Sequence, residues 1–171
     1  MAGDPLYEAY HDTEWGVPEY DPRALWEKLA LDGFQAGLSW ITILRKRDAF
    51  RAAFDNFDPD KVALYGEIDR ARLMADAGII RNRLKVDAAI ANAQRILELR
   101  KSHGGFHAWL KVHHPLTKEE WVKLFKKTFR FTGGEIVGEF LLSTGFLPGA
   151  HAPTCPIYPL VVKRRPAWKG A

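Results

Sequence analysis

The chain has 171 residues, of which 47% are hydrophobic and 12% aromatic, so it can bury the core of a globular domain. Its 25 Lys and Arg residues outnumber its 21 Asp and Glu residues, a mild excess that suits a polyanionic partner without requiring one. A single Cys excludes an internal disulfide, no apolar run has the length of a membrane span, and Met-Ala-Gly-Asp does not have the form of a signal peptide. These features predict a globular, cytoplasmic protein that does not bind membranes.

Apolar residues recur every three or four positions through seven segments, which is the spacing of amphipathic helices. The segments are residues 24–31, 38–54, 62–74, 86–99, 106–112, 121–129 and 136–146. No segment shows the convincing alternation of a strand, so the sequence predicts an all-α fold. We expect one helical domain over residues 1–171, within which two lobes can be accommodated.

Three helix starts carry capping signals. Asp21-Pro22 and Asp58-Pro59 each place an acid before a Pro at the first helical position. Thr117 followed by Glu120 has the form of a capping box. The Pro-rich residues 148–171 are instead predicted to form loops or short helices.

The acid Asp32 lies in an apolar, Gly-interrupted segment, residues 29–40, that ends in Trp40. Burying a carboxylate is costly unless hydrogen-bond donors or a bound cation compensate it, so this placement favours a functional site. The spacing equally allows an exposed acid in the last turn of a helix, with Gly33 ending that helix. Both interpretations stay open at this point.

Residues 67–100 have the pattern of a helix-hairpin-helix, with helices over 67–77 and 83–100 joined by a short turn. Backbone N–H groups and the positive dipole end at the start of the second helix favour a DNA phosphate. The candidate phosphate-binding residues are Gly78, Arg81, Asn82, Arg83 and Lys85. The alternative is an ordinary αα-hairpin with solvated basic residues, and the usual pair of glycines one residue apart is absent.

Three blocks of residues, in order along the chain, resemble one known family. They are Asp4-Pro5-Leu6-Tyr7 with Tyr10-His11-Asp12-Thr13-Glu14-Trp15-Gly16-Val17-Pro18, then Gln35-Ala36-Gly37-Leu38-Ser39-Trp40-Ile41-Thr42, then Asp76-Ala77-Gly78-Ile79-Ile80-Arg81. With Phe131-Thr132-Gly133 and His151, they resemble the 3-methyladenine DNA glycosylase I (Tag) family over nearly the whole chain. The resemblance implies a helical member of the helix-hairpin-helix DNA glycosylase superfamily.

The resemblance also implies an enzyme of base excision repair that acts as a monomer on double-stranded DNA containing alkylated bases. Such an enzyme rotates the damaged nucleotide out of the duplex and, with water as nucleophile, hydrolyses the N-glycosidic bond of 3-methyladenine without any cofactor for the chemistry. No Lys in the second helix of the hairpin stands out as a Schiff-base nucleophile, since Lys85 is more simply a phosphate contact, so lyase activity is not expected. The alternatives are a glycosylase for another alkylated base and a DNA-binding homologue with weak or no catalysis.

Tyr10 and Trp40 match the family's aromatic pocket residues, and Tyr7 and Trp15 lie in the same blocks. Stacking on a cationic methylated purine gains a cation–π attraction of roughly 1 to 2 kcal/mol in a dry site. The alternative is that these rings are plain core aromatics. We favour a core position for Trp15 and base binding for Tyr10 and Trp40, with Tyr7 as a further candidate.

At the position before Gly33 the Tag family carries a Glu that hydrogen-bonds the amino edge of the flipped base, whereas this chain has Asp32. Because its side chain is one methylene shorter, Asp32 either reaches the base through a water or a shifted backbone, or the pocket prefers a bulkier adduct. A cationic base is already a good leaving group, so binding and distortion can supply most of the rate. We therefore assign Asp32 to base recognition and electrostatic support, with Glu14 as a second candidate acid.

Gly37 and Leu38 match a segment that approaches the DNA in the family and helps fill the gap left by the flipped nucleotide. An apolar wedge between base steps is physically sensible there. The alternative is that Leu38 belongs to the core.

The family carries a structural zinc held by an N-terminal Cys, the His of the Tyr-His-Asp block, and a late His followed four residues on by Cys. This chain keeps His11, His151 and Cys155, but counting back from Asp4 by the family spacing runs past residue 1. Structural zinc sites are normally closed by four protein groups, so zinc here needs water, an acid or another side chain in the fourth place. The alternative is that His11 packs near the pocket and His151 is a surface loop residue.

Overall fold

The computed structural model describes residues 3–170, which form helices and turns with no strand among them. The helices are α1 (Pro5–Thr13), α2 (Pro22–Gln35), α3 (Trp40–Arg45), α4 (Arg47–Ala53), α5 (Pro59–Val62), α6 (Glu67–Met74), α7 (Arg83–His103), α8 (Phe106–His113), α9 (Lys118–Thr128), α10 (Gly134–Ser143), α11 (Tyr158–Lys163) and α12 (Ala167–Gly170). A 3₁₀ turn, Asp55–Phe57, joins α4 to α5. The predicted all-α fold is confirmed.

Helix α2 lies at the centre of the protein and packs against α3, α7, α8 and α10. A helix enclosed in this way must be apolar on most of its surface. Its buried apolar residues are Leu25, Trp26, Leu29, Ala30, Leu31 and Phe34. Asp32 lies on the buried side of this helix among these apolar residues, whereas Arg23 on the same helix is exposed.

The capping signals mark helix starts as the sequence predicts. The carboxylates of Asp21 and Asp58 accept backbone N–H groups at the starts of α2 and α5, and Thr117 and Glu120 form the capping box of α9. Helix α1 has the same signal, because Asp4 precedes Pro5 and its carboxylate accepts the N–H groups of Leu6 and Tyr7. The apolar spacing alone missed α1, which is short and mostly exposed.

Two predicted helices are each divided in the structure. Residues 38–54 form α3 and α4, which are separated at Lys46 and both pack into the same core, so the apolar spacing continues across the break. Residues 62–74 are divided at Gly66, which has extended backbone and caps α6. The apolar spacing predicted one continuous helix because it counted Leu64 and Ile68 as buried, but they are almost fully exposed, at 84% and 88%.

The hairpin of α6 and α7 agrees with the predicted helix pair, except that α6 ends at Met74 and α7 extends to His103. The side chain of Asn82 caps α7 by accepting the N–H of Lys85. Gly104 ends the helix in the left-handed conformation, which glycine adopts at little cost.

The segment after α1 is joined to the segment after α10. The indole Nε1 of Trp15 donates to the carbonyl of Ala150 at 2.7 Å, and the N–H of Gly16 donates to the carbonyl of Ser143 at 3.0 Å. Gly16 has φ +78°, and a Cβ there would lie 2.8 Å from the Cβ of Ala150, so only glycine fits. Within residues 3–170, no helix is both long and apolar enough to cross a membrane.

Candidate functional site

Asp32 is only 1% exposed, so the interpretation of an exposed acid at a helix end is wrong. One turn earlier on α2, the ammonium of Lys28 donates to Oδ1 of Asp32 at 2.6 Å. The other carboxylate oxygen, Oδ2, is buried without a hydrogen-bond partner among the described residues. Such an oxygen is a costly feature in a folded protein and is available to a donor from outside the chain.

Trp40 begins α3 and faces Tyr10 of α1, with ring centroids 5.3 Å apart and an angle of 47° between the rings. Both residues are largely buried, at 9% and 5% exposure. The ammonium of Lys28 lies 4.0 Å from the centroid of the Trp40 indole and 5.9 Å from that of Tyr10. A cation at this distance is attracted by the negative face of an aromatic ring. The two rings and Asp32 thus surround one positive charge.

Two cavities adjoin this cluster. The larger, of about 570 Å³, is lined by Asp32, by residues 35–38 and by part of α10 that includes Glu139. The smaller, of about 130 Å³, is lined by Tyr10, Trp40 and Lys28 together with several acids. The larger cavity is wide enough for a nucleobase, and the unpartnered carboxyl group lies in its wall.

Burial raises the pKa of Asp32 from 3.8 to about 6, although the Lys28 ammonium opposes this change and the nearby Glu139 adds to it. Burial also raises the pKa of Tyr10, with further contributions from Asp32, Glu14 and Glu139. Asp32 is therefore ionised at neutral pH, and its buried carboxylate is stabilised by a positive group close to it. The site is built to hold a cation.

Glu14 and Tyr7 contribute less to this arrangement than the sequence suggests. Glu14 lines the smaller cavity, but its carboxylate is paired with Arg47 at 2.8 Å and is half-exposed. Tyr7 is half-buried one turn before Tyr10 and lines neither of the two cavities. Trp15 packs against the core as predicted, 6.4 Å from Tyr10 between ring centroids.

The loop between α2 and α3 forms one rim of the larger cavity. Gly37 has φ +81°, and Leu38 beside it is 43% exposed, so the interpretation of Leu38 as a core residue is wrong. The buried ammonium of Lys85 holds this loop in place by donating to the carbonyls of Phe34 and Ala36 at 3.0 and 2.6 Å. These are the free carbonyls at the end of α2, which need donors when they are buried.

This geometry corrects the prediction for Lys85. The residue is only 7% exposed and its ammonium is committed to two carbonyls, so it is not a phosphate contact. The prediction for Gly78 is corrected as well, because its N–H donates to Asp76 at 2.8 Å and is not available to a phosphate. A Cβ on Gly78 would lie 3.0 Å from that of Ala49, which explains the glycine by close packing.

The rest of the hairpin turn presents a basic, exposed surface. Arg81 is exposed and makes no ion pair within residues 3–170, whereas the guanidinium of Arg83 is held by Glu67 and Asp87 at 3.2 and 3.4 Å. Asn82 is exposed and uses its side chain to cap α7. The first N–H groups of α7 have no acceptor within the helix, so together with Arg81 they form a surface suited to an anion.

His11, His151 and Cys155 come together although 144 residues separate the first from the last. Their donor atoms all lie within 4.8 Å of one another, with Sγ of Cys155 3.9 Å from Nε2 of His11 and 3.6 Å from Nδ1 of His151. His151 is 6% exposed, so its interpretation as a surface loop residue is wrong.

The hydrogen bonds around this cluster orient both imidazoles. Nδ1 of His11 lies 2.8 Å from the carboxylate of Asp12, and Nε2 of His151 lies 2.6 Å from the carbonyl of Trp15. A carboxylate and a carbonyl only accept hydrogen bonds, so these contacts favour the neutral tautomers in which these nitrogens carry the ring proton. The opposite nitrogens are thereby left unprotonated and aimed at Cys155, as in metal sites where a second hydrogen bond fixes the ligating His.

Sequence reasoning missed Lys28 and Glu139 entirely. Lys28 could have been found, because it lies four residues before Asp32 and side chains at that spacing meet on one helix face. Glu139 enters the site from α10, more than 100 residues away along the chain, and no local pattern marks it.

Comparison with known proteins places the chain in a family. The model of the methyladenine glycosylase family matches residues 1–123. DNA-3-methyladenine glycosylase 1 of Escherichia coli (strain K12) is 42% identical over 178 aligned residues, which cover 93% of this chain and 95% of that protein. DNA-3-methyladenine glycosylase of Haemophilus influenzae is 38% identical over 170 residues, covering 88% of this chain and 91% of that protein.

The fold agrees with solved structures of the same name. 3-Methyladenine DNA glycosylase I from Staphylococcus aureus has a TM-score of 0.83 and 34% identity, with 91% of this chain and 93% of that chain covered. A Tyr-to-Phe variant of a 3-methyladenine DNA glycosylase I, in complex with 3-methyladenine, has a TM-score of 0.86 and 34% identity, with 91% and 94% covered. The chain therefore belongs to the methyladenine glycosylase family, which consists of enzymes that hydrolyse N-glycosyl compounds.

Proposed function

We propose that this protein is a monofunctional DNA glycosylase that hydrolyses the N-glycosidic bond of 3-methyladenine after the damaged nucleotide is flipped out of duplex DNA. The observation that carries the proposal is the buried Asp32 carboxylate in the wall of the larger cavity, which is joined through the Lys28 ammonium to the Trp40 indole of the smaller cavity. The names of the relatives in Escherichia coli and Haemophilus influenzae support the substrate.

A purine alkylated at N3 in DNA carries a positive charge and an exocyclic amino group. Trp40 and Tyr10 offer aromatic faces for the cationic ring. Asp32 offers a carboxylate as acceptor for the amino edge and as counter-charge for the ring, and its unpartnered Oδ2 is one such acceptor. A neutral adenine can make the hydrogen bonds but brings no charge, so the pocket favours the damaged base.

The reaction needs little chemical assistance from the protein. As the glycosidic bond breaks, its electron pair goes to the base, which leaves as neutral 3-methyladenine while positive charge develops on the sugar. Water then adds to the anomeric carbon and gives its proton to solvent. Asp32, which is ionised above about pH 6, stabilises the positive charge electrostatically and need not act as a strict general base.

Two of the three lysines at the site support the monofunctional assignment, and the third, Lys118 in the lining of the larger cavity, is the one that a trapping experiment tests. A lyase step requires an unprotonated amine that attacks the sugar. Lys85 is buried against two carbonyls, and Lys28 is paired with Asp32. Borohydride should therefore trap no covalent complex between this chain and damaged DNA.

We further propose that the duplex lies across the rim of the larger cavity and the hairpin turn. Leu38 is exposed on the rim and is suited to fill the gap left by the flipped nucleotide, with Gly37 allowing close approach of the backbone. Arg81 and the start of α7 are suited to bind a backbone phosphate and fix the protein's register. Arg83 is exposed nearby and adds positive charge.

We also propose a structural zinc held by His11, His151 and Cys155. The donor set fits, because an N to S edge of a tetrahedral zinc site measures about 3.5 Å and the observed distances are 3.6 and 3.9 Å. Two imidazoles and one thiolate leave one position of a tetrahedral site, which we assign to a water or another oxygen ligand. When bound, the ion joins α1 to the segment after α10 and takes no part in the reaction.

A glycosylase for a bulkier alkylated base is the second candidate function. It is favoured by the shorter acidic side chain of Asp32 and by the size of the adjoining cavity, about 570 Å³. The two candidates differ in the base that is released and not in the residues that bind it.

The test is the release of free bases from methylated duplex DNA, analysed by chromatography. The wild-type chain should release 3-methyladenine, and Asp32→Asn should release it much more slowly. Asp60→Asn is a matched control, because Asp60 is an exposed acid paired with Arg100 and does not line the two cavities at Asp32. If the wild-type chain released only a larger adduct, the second candidate would replace the first.

A further inference from the structure

Lys28 already holds the two groups that the proposed base would use. Its ammonium lies 4.0 Å from the centroid of the Trp40 indole and 2.6 Å from Oδ1 of Asp32. Its side chain is 16% exposed, so water compensates little of its charge. Without DNA, the site is therefore filled by a cation that the chain itself supplies.

The ammonium and a stacked base compete for the same place. A base that stacks on the Trp40 face covered by Lys28 must displace the ammonium from that face, and with it from Oδ1 of Asp32, although Oδ2 has no partner within the described residues and is free to accept from the base. The smaller cavity, of about 130 Å³, offers the displaced ammonium a place near Glu19, which lines it with Lys28 and, unlike Glu14 and Glu27, makes no ion pair within the described residues. The exchange thus needs a rotation of one long side chain and no movement of α2.

The charge of the incoming base decides whether this exchange is favourable. A cationic base replaces one positive charge at Asp32 by another. A neutral base removes the ammonium and leaves a carboxylate that is 1% exposed without a counter-charge, close to Glu139. Uncompensated buried charge is strongly unfavourable, so the neutral base is rejected.

We infer that Lys28 is a specificity-determining residue, whose ammonium only a positively charged base replaces without leaving Asp32 uncompensated. The inference rests on the proposed function, because it takes the Asp32 and Trp40 site as the base pocket. Undamaged bases are then rejected because they compete poorly with the Lys28 ammonium, and the damaged base is favoured further by its direct contacts.

The test compares a charged lesion with an uncharged one of the same shape. The uncharged probe is 3-deaza-3-methyladenine, in which carbon replaces the methylated ring nitrogen, placed in duplex DNA. Dissociation constants for this duplex and for an undamaged duplex are measured at pH 7.5. Their ratio is then compared between the wild-type chain and Lys28→Met. For the charged lesion, kcat/KM for release of 3-methyladenine is measured with the same proteins.

Lys28→Met should bind the uncharged lesion at least tenfold more tightly, relative to undamaged DNA, than the wild-type chain does. The gain in kcat/KM for the charged lesion should be smaller than this gain in affinity, because a cationic base supplies the counter-charge of Asp32 whether or not Lys28 is present. Lys28→Gln keeps a donor for Asp32 and serves if the Met variant does not fold. Lys28→Arg keeps the charge and should behave as the wild-type chain, as should Lys61→Met, which removes an exposed lysine on α5.

The inference is overturned if Lys28→Met and Lys28→Gln bind the uncharged lesion no more tightly than the wild-type chain, or if Lys28→Arg gains as much as they do. These results leave the proposed function intact when the wild-type chain releases 3-methyladenine. Failure of the wild-type chain to release it would instead overturn both.

Discussion

Lys28 and Asp32 form an ion pair of 2.6 Å on successive turns of the central helix α2, at a place where Asp32 is only 1% exposed. Most pairs at this spacing lie on a helix surface and contribute little. Here the enclosure of α2 by four other helices removes the water that would otherwise compensate the carboxylate. The electrostatics of the site follow from that enclosure.

The first prediction concerns pH. Because the pKa of Asp32 is raised from 3.8 to about 6, the carboxylate that balances the cationic base is lost as pH falls through about 6. One unit below its pKa about a tenth of the groups remain ionised, so release of 3-methyladenine at pH 5 should be about tenfold slower than its plateau above pH 7. Initial rates between pH 5 and 8, corrected for spontaneous release, measure this. A flat profile would show that the ionisation of Asp32 is not needed.

Lys85 provides the second prediction, which concerns stability. Lys85→Met removes the donors to the carbonyls of Phe34 and Ala36 and leaves two buried acceptors unpaired. The free energy of unfolding should fall by about 2 kcal/mol, as measured by urea denaturation. Lys101→Met, at an exposed position on the same helix, should change it by less than about 0.5 kcal/mol. Unchanged stability in Lys85→Met with weaker DNA binding would reinstate Lys85 as a phosphate contact.

The two arginines of the hairpin turn should differ in their effect on DNA binding, which is the third prediction. Arg81→Ala should weaken binding to undamaged duplex and lower the slope of log K against log salt concentration by about 1, as expected for one lost phosphate contact. Arg83→Ala should have a smaller effect, because Glu67 and Asp87 already share its guanidinium. Fluorescence anisotropy over a series of salt concentrations makes the comparison. A larger loss in Arg83→Ala than in Arg81→Ala would contradict it.

The fourth prediction concerns zinc. Wild-type protein should contain about one zinc per chain by elemental analysis, and Cys155→Ser should lose it together with several degrees of thermal stability. His113→Ala is the matched control, since His113 lies on α8 away from the cluster and should leave the zinc content unchanged. Wild-type protein that holds no zinc after expression with added zinc would exclude the site.

Much of the fold could be predicted because its signals are local. A carboxylate before a proline marks a helix start wherever it occurs, and the structure confirms this for Asp21 and Asp58. The division at Gly66 was also visible in the sequence, but the apolar residues around it suggested burial that does not occur. Periodicity reports which residues could face a core and not whether a core lies there.

The site was less predictable because it depends on burial and on distant contacts. Lys85 follows Arg81 and Arg83 in sequence, so it looked like part of a basic surface, yet its helix position turns it to the buried side with Val86 and Ala89. The resemblance to a family indicated Asp32 and Trp40 as site residues, but it did not indicate Lys28. Only the packing of α2 brings Lys28 onto both.

The most direct test of the central claim is the rate at which free 3-methyladenine is released from methylated duplex DNA by the wild-type chain and by Asp32→Asn under single-turnover conditions. Loss of a charge aimed at a developing cation typically costs about 100-fold or more, and we expect a decrease of that size for Asp32→Asn, with Asp60→Asn unchanged. Release of 3-methyladenine at equal rates by the wild-type chain and Asp32→Asn would contradict the role of Asp32, and no release by the wild-type chain would contradict the function itself.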